Sequence, residues 1–418
     1  MSSKKWDTRT LSDISFVTDF SANGSFAGLR ENVEYKAEQD YAILVRLVDF
    51  SRKWNGDFVY IPKHSYDFLK KCQLDVADVI IANIGANSGT LFRVPKLDRP
   101  SALGPNALVI KTENFPNTSK DFLYYYFISP LGQNQIQSII TGSAQPKFSK
   151  TDLRNLKIPF PPLSTQRRVA DILSALDDKI ELNRQTNATL EALAQAIFKE
   201  WFFDFNFPGA SGEMVESELG LIPKGWRVDE IGNVVEALGG GTPSTKEVAY
   251  WDNGIHNFVT PKDLSNLSSP ILLETERKVT DVGLSKISSG LLPANTLLMS
   301  SRAPVGYLAI SQIPICINQG FIAMKPIGNI SNIFLLNWSI QNMEEIRMRA
   351  SGTTFPEISK KNFRPIPIIV PSDDVLRAFD TLVTPLYEKI TASLIESQTL
   401  ITIRDTLIPK LMGGEIEV

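Results

Sequence analysis

A metal-dependent nuclease needs acidic side chains and a lysine that converge on one cation and one water. The sequence comes nearest to this at Glu276-Arg277-Lys278, downstream of Asp263. Glu-x-Lys arises often by accident, and no other part of such a site accompanies it. Asp177-Asp178-Lys179 lies in a long helical stretch and reads as a solvated polar face. Asn-Pro-Pro-aromatic, GxSxG, HExxH and phosphate-loop patterns do not occur. His64 and His256 stand alone, and Cys72 and Cys316 sit in apolar surroundings. These are not ligand spacings, so no metal site and no disulfide framework are expected.

The chemistry that remains is recognition. Asn, Gln, Thr, Ser, Arg and Lys hold phosphates and read base edges, and turns between β-type runs are rich in them. In the first half the candidates for DNA contact are Arg46, Asn83, Asn87, Ser88, Asn106, Gln145 and Lys147. In the second half they are Thr242, Ser244, Thr260, Lys262, Asp263, Ser301, Arg302, Asn318, Gln319, Thr353 and Thr354. Arg302, in SSRAPVG, could grip a guanine or a phosphate, or form a surface salt bridge. Asn318-Gln319 and Thr353-Thr354 could touch DNA or tie loops down. Gly239-Gly240-Gly241 could let backbone approach a ligand or make a plain turn.

The scaffold behind these turns is written twice. KWDTRTLSDISFV has a counterpart in GWRVDEIGNVV. Tyr41–Val48 matches Ile255–Thr260, and Asp78–Asn83 matches Asn295–Ser300 at an offset of 217. Asn106–Lys111 and Gln319–Lys325 are further strand candidates. Phe122–Ile140 and Ile333–Arg349 then change to helical spacing.

Each half closes on a long amphipathic helix. Val169, Leu173, Leu176, Ile180, Asn183, Asn187, Leu190, Ala194, Ile197 and Trp201 form an unbroken heptad stripe with a polar centre. Adding 210 gives Phe379, Val383, Leu386, Ile390, Ser393, Ser397, Leu400, Arg404, Leu407 and Leu411. The expected helix–helix interface is therefore Val169, Leu173, Leu176, Ile180, Asn183, Asn187, Leu190 and Ile197 against Val383, Leu386, Ile390, Ser393, Ser397, Leu400 and Leu407. Each rod spans about 50 Å at about 1.5 Å per residue. If the two pack antiparallel, the central polar layers meet and fix register. Ser164 or Thr165 and Ser372 are candidate N-caps, while Pro208-Gly209 and Gly413-Gly414 stop the helices. Pro385 predicts a kink or a restart in the second helix.

Composition fits an ordinary globular chain of 418 residues, 43% hydrophobic and 21% charged. No run of eighteen apolar residues suggests a membrane span, and MSSKKWDTRT lacks a signal-peptide core. A cytoplasmic location follows as an expectation. Net charge is −3, which is no strong footprint for nucleic acid. Its distribution is uneven: residues 1–150 hold 18 Lys+Arg against 15 Asp+Glu, and residues 371–418 hold 4 against 8.

The phrases GGGTPS, VTPKDL, SSRAPVGYLAI, INQGF, SGTTFPEISKKNFRPIPIIVP and IPFPPLSTQRRVADILSALDDKIELN, in this duplicated layout, resemble the specificity subunit of Type I restriction–modification systems. The likeness spans essentially the whole chain. It implies an α+β fold with two similar β-rich target-recognition domains, residues 1–160 and 209–371. Long spacer helices, residues 161–208 and 372–418, would join them as an antiparallel coiled coil with pseudo-twofold symmetry. It also implies a non-catalytic chain that reads a bipartite, asymmetric site in double-stranded DNA. Two methyltransferase subunits would dock on the helices and carry S-adenosylmethionine. Motor-nuclease subunits would carry ATP and Mg2+. A protein-binding scaffold without DNA readout and an unrecognised metal-dependent nuclease are the competing readings.

Overall fold

The computed structural model describes residues 6–302, 304–352 and 356–418. They divide into two compact units, Met1–Lys179 with Thr399–Val418, and Ile180–Gln398. Each unit thus takes part of both long helices.

The first unit contains β1 (Asp7–Thr10), β2 (Phe16–Asp19), β3 (Ala42–Val45), β4 (Val59–Ile61) and β5 (Gln73–Leu74). It continues with β6 (Val79–Ala82), β7 (Leu91–Arg93), β8 (Ser101–Leu103), β9 (Ala107–Lys111) and β10 (Lys157–Phe160). One sheet runs β2-β9-β6-β7 and another β4-β3-β8-β5, while β1 pairs with β10. The second unit opens on a hairpin of β11 (Met214–Ser217) and β12 (Gly220–Pro223). It adds β13 (Arg227–Glu230), β14 (Val235–Gly239), β15 (His256–Val259), β16 (Ile271–Leu272) and β17 (Arg277–Val279). Then come β18 (Leu297–Ser300), β19 (Leu308–Ser311), β20 (Ile315–Ile317), β21 (Phe321–Pro326) and β22 (Pro367–Val370).

Its sheets repeat the plan of the first: β14-β21-β18-β19-β16, β17-β15-β20, and the pair β13-β22. The one parallel pairing inside each small sheet recurs too, β3 with β8 and β15 with β20. The central strands are mostly aliphatic and buried on both faces, VIIA in β6 and LLM before Ser300 in β18. Continuous apolar runs of this kind suit strands covered on both sides.

The strand equivalence differs by one residue from the sequence alignment. Val79 opposes Ile110 and Ala82 opposes Ala107, whereas Leu297 opposes Met324 and Ser300 opposes Phe321. The offset in the strand is therefore 218, not 217. Both following loops close onto the strand end: Gly89 N donates to Ala82 O at 2.8 Å, and Gly306 N to Ser300 O at 3.0 Å. The second loop is one residue shorter and absorbs the difference. A slip of one residue in a strand would exchange its faces.

The long helices run Leu163–Phe202 and Asp373–Met412. Ser164 and Thr165 lie inside the first turn rather than at its cap, which falls on Pro162; proline needs no N–H partner there. Ser372 directly precedes the second helix. The first helix ends before Pro208, because Phe205 adopts a positive φ of 59° and closes the last turn. Pro385 neither ends nor restarts the second helix. Pro385 and Thr381, whose carbonyl loses its partner, are both exposed, so water can satisfy the carbonyl. Val383, Tyr387 and Ile390 on the opposite side are buried.

In the first unit Val169, Ala170 and Leu173 pack with Ile408, Leu411 and Met412 and with the helix Lys120–Ile128. In the second, Ala194, Phe198, Trp201 and Phe202 pack with Phe379, Val383 and Tyr387. Here Phe198, Phe202, Phe334 and Phe379 form an edge-to-face cluster, with centroids 5.0 Å apart for Phe202–Phe379 and 5.2 Å for Phe198–Phe334. Such pairs contribute about 0.5–1.5 kcal/mol beyond burial. The apolar face is wider than the heptad stripe near the helix ends, where each helix covers a β-rich domain as well as its partner. Leu176, Ile180, Leu190, Ile197, Leu386, Leu400 and Leu407 are half-buried, and Tyr387, Ile408 and Met412 lie deeper.

Asn183 and Asn187 are both buried in the second unit. Asn183 Nδ2 donates to Ser393 O at 3.3 Å, Glu396 Oε2 at 2.9 Å and Ser397 Oγ at 3.1 Å. Asn187 Oδ1 is buried without a hydrogen-bond partner among the described residues. The two asparagines should therefore respond oppositely to leucine. Asn183→Leu is expected to cost about 1–2 kcal/mol by stranding its partners, and Asn187→Leu to add about 1 kcal/mol. Denaturant midpoints of the two variants check this, and equal losses in both would contradict it.

Candidate nucleic-acid interface

The candidate residues cluster where β6 and β18 run out into loops. In the first unit Asn83 N donates to Asn106 O at 3.2 Å, and Phe148 N to Asn83 O at 3.2 Å. In the second, Ser301 N donates to Gly320 O at 2.8 Å, and Ile358 N to Ser301 O at 3.0 Å. Asn83, Asn106 and Phe148 thus stand where Ser301, Gly320 and Ile358 stand. Bridges Ile84–Lys147 and Thr141–Lys147 recur as Arg302–Glu357 and Ser351–Glu357. The backbone frame is the same and its side chains are not.

The structure brings Asn83, Asn87, Ser88, Asn106, Gln145 and Lys147 onto this frame in the first unit. Asn83 Nδ2 is used on Phe148 O at 3.2 Å, and Ser88 Oγ on Pro146 O at 2.8 Å. Asn87, Asn106 and Gln145 are exposed, and their amides have no partner among the described residues. The Lys147 ammonium is likewise unpaired. Ser301, Arg302, Asn318 and Gln319 occupy the second frame. Ser301 is buried. Arg302 Nη1 lies 3.7 Å from Glu357 Oε2, a half-exposed pair of small energetic weight. Asn318 Oδ1 accepts from Gly320 N at 2.8 Å, and Thr242 Oγ1 donates to Gln319 Oε1. Ser244 is exposed. Thr353 and Thr354 lie outside the described residues.

Four further candidates carry bonds within the scaffold. Arg46 precedes the short helix Leu47–Ser51 and pairs with buried Asp49, Nη2 to Oδ1 at 2.8 Å. Thr260 and Asp263 form the equivalent capping box, with Thr260 Oγ1 donating to Asp263 Oδ2 at 2.7 Å. Lys262 pairs on the surface with Glu276 at 2.7 Å. These bonds also dismantle the nuclease arrangement: Asp263 caps a helix and accepts from Glu276 N at 2.8 Å. The glycine run has a further cause. A Cβ on Gly240 would lie 1.9 Å from Ile317 O, so the loop is packed against its own chain.

Among the described residues, Asp75, Asp78 and Glu113 come close enough to share a cation. The Lys111 ammonium already occupies that place, 3.6, 3.3 and 3.4 Å from the three. Burial pushes the Asp78 carboxyl up, which does not suit a metal ligand. Burial also pushes the Cys72 and Cys316 thiols up to about 11, leaving them protonated.

Asp177 is no solvated side chain. It accepts from Tyr125 Oη at 2.7 Å and from Arg404 Nη1 at 2.8 Å, with Arg93 Nη2 at 4.0 Å. Arg93 stacks on Tyr124 at 4.4 Å and bonds Asp121 at 3.1 Å. Burial and then the neighbouring Asp177 carboxylate push Tyr125 far above its usual value, so its hydroxyl stays a donor. This network ties the β-rich part of the first unit to both long helices.

Residues 4–192 and 223–384 match the family described as Type I restriction modification DNA specificity domain. The chain belongs to this family. Its members are specificity subunits, not the catalytic subunits, of Type I restriction–modification enzymes. The MjaIX specificity subunit of Methanocaldococcus jannaschii is 29% identical over 304 residues, 71% of this chain and 69% of that one. The HindI specificity subunit of Haemophilus influenzae is 26% identical over 373 residues, 75% and 79% of the two chains. The crystal structure of the Type I S subunit from M. genitalium shares the fold, with a TM-score of 0.60 at 16% identity over 97% of this chain and 96% of that one. Among the described residues no helix is long and apolar enough to cross a membrane.

Proposed function

We propose that this specificity subunit reads double-stranded DNA directly, one recognition domain to each half of a bipartite, asymmetric target. The observation that supports it is the repeated loop frame with unlike side chains, Ile84 against Arg302, Lys147 against Glu357 and Asn106 against Gly320. One scaffold with two sets of contacts is what reading two different sequences requires. The long helices dock two methyltransferase subunits. Exposed Leu182, Leu193, Leu382 and Ile403 on the helices offer apolar area for that contact. Leu193 and Ile403 are equivalent under the offset of 210, as two like partners demand.

The methyltransferase subunits supply S-adenosylmethionine chemistry, and motor-nuclease subunits supply ATP and Mg2+ chemistry. The complex works in the cytoplasm. A modest net charge is compatible with this if partner subunits share the phosphate contacts. The test is co-expression with the methyltransferase subunit, followed by mapping of methylated adenines. A two-part motif that disappears without this chain is expected. Methylation that does not depend on the chain, or a complex that binds all DNA equally, would leave the scaffold reading in its place.

A further inference from the structure

The first unit holds a groove of about 550 Å³ beside its loop frame. Phe26, Arg30, Tyr35, Asn83 and Asn106 line it. Phe26 opens the helix Phe26–Asn32 and is 87% exposed; Tyr35 is 55% exposed. Single exposed apolar residues need no explanation, but two aromatics on one groove beside a free amide do. The groove also has a sign. Its carboxylate, Asp19, is neutralised by Lys150 at 2.8 Å, and the Arg30 cation has no partner among the described residues. The uncompensated charge is positive and fits a polyanion.

Asn106 sits at φ 67°. Asparagine tolerates that conformation, so the backbone alone could account for it. In the second unit Gly320 takes the equivalent place without a positive φ, so the hydrogen-bond frame requires neither that conformation nor an amide there. The Asn106 amide is thus free for another use.

We propose that this groove reads one A·T pair in the half-site of the first domain. The Asn106 amide bonds the adenine edge, Phe26 with Tyr35 packs on the thymine methyl, and Arg30 holds a neighbouring phosphate. An amide to adenine N6 and N7 and an apolar contact to the thymine methyl are the pairings that groove geometry favours. The proposal rests on the DNA-reading function above.

The full chain, in complex with its methyltransferase subunit, is used for the test. Asn106→Gly keeps the backbone conformation and removes the amide. It is expected to lose about 10-fold or more of the discrimination at a single A·T pair in one half-site. The other half-site should be read as before. Phe26→Ala adds a second arm. Wild-type complex should bind DNA carrying uracil for that thymine about 3- to 5-fold more weakly than thymine DNA, one methyl group's worth of burial. Phe26→Ala should bind the two equally. Melting midpoints near wild type confirm that both variants fold.

If wild type keeps a two-part motif while both variants share its map and its uracil response, the groove is not a reader and the DNA-reading function stands. A uniform loss at all sequences also overturns the groove. A wild-type complex without any sequence preference overturns both readings.

Discussion

Asp177→Ala lowers the stability of the first unit by about 2–3 kcal/mol. The substitution strands the Tyr125 hydroxyl and leaves Arg404 half-buried with only Asp405 beside it. Breaking a fully buried pair costs about 3–5 kcal/mol; the Asp177 side chain is 20% exposed, so solvent takes back part of that. The second unit shows a different solution in the same place. Asp177 and Arg404 correspond to Tyr387 and Ala194, both buried in an apolar core, with Tyr387 Oη paired to Asn337 at 3.2 Å. The double variant Asp177→Tyr/Arg404→Ala should therefore recover most of the loss. Denaturant midpoints and amide exchange of the helix Lys120–Ile128 report the outcome. A loss under about 0.5 kcal/mol for Asp177→Ala would reduce the network to a surface ion pair.

A fragment of residues 1–208 dimerises, and Ala194→Arg strengthens the dimer by at least about tenfold. In the full chain the first unit borrows Ile408, Leu411 and Met412 from the second helix. The fragment lacks them and exposes Val169 and Leu173. A second copy can supply Phe198, Trp201 and Phe202, the equivalents at an offset of 210, in an isologous pair. What the second copy cannot supply is Arg404, because Ala194 stands in its place. Arginine at 194 restores a cation to Asp177, and a desolvated charge pair of that kind is expected to be worth about 1.5–3 kcal/mol. With the methyltransferase subunit, the dimer should methylate an inverted repeat of the first half-site. Sedimentation and methylated-adenine mapping read the two outcomes. A folded fragment that stays monomeric at micromolar concentration, with and without arginine, would refute the exchange of helix ends.

The duplication and the long helices were legible because both are one-dimensional signals. A heptad stripe and a constant offset survive without knowledge of the fold. The strand register was legible only to within one residue, since the loop from Asn83 to Ser88 is longer than its counterpart and nothing in the sequence places the extra residue. The Asp177 network was not legible. Its members Arg93, Tyr125, Asp177 and Arg404 are brought together only by folding, and an Asp-Asp-Lys run on a helix is ordinarily solvated. Of the kink or restart expected at Pro385, the restart does not occur, because the proline and the carbonyl it leaves unpaired both face water. The recognition loops were legible as loops. Which of their side chains are free was not, because Arg46, Thr260 and Asp263 are taken up by caps, as their spacing of three residues could have warned.

The division of one domain to one half-site is tested most directly by exchanging a single loop. Ser300–Gly306 is replaced by Ala82–Gly89, the equivalent segment of the first frame, and the methylated adenines are mapped beside those of the unaltered complex. The account predicts that the motif changes in one half, while the other half and the spacing between them stay as they were. A map in which both halves lose preference equally would contradict it.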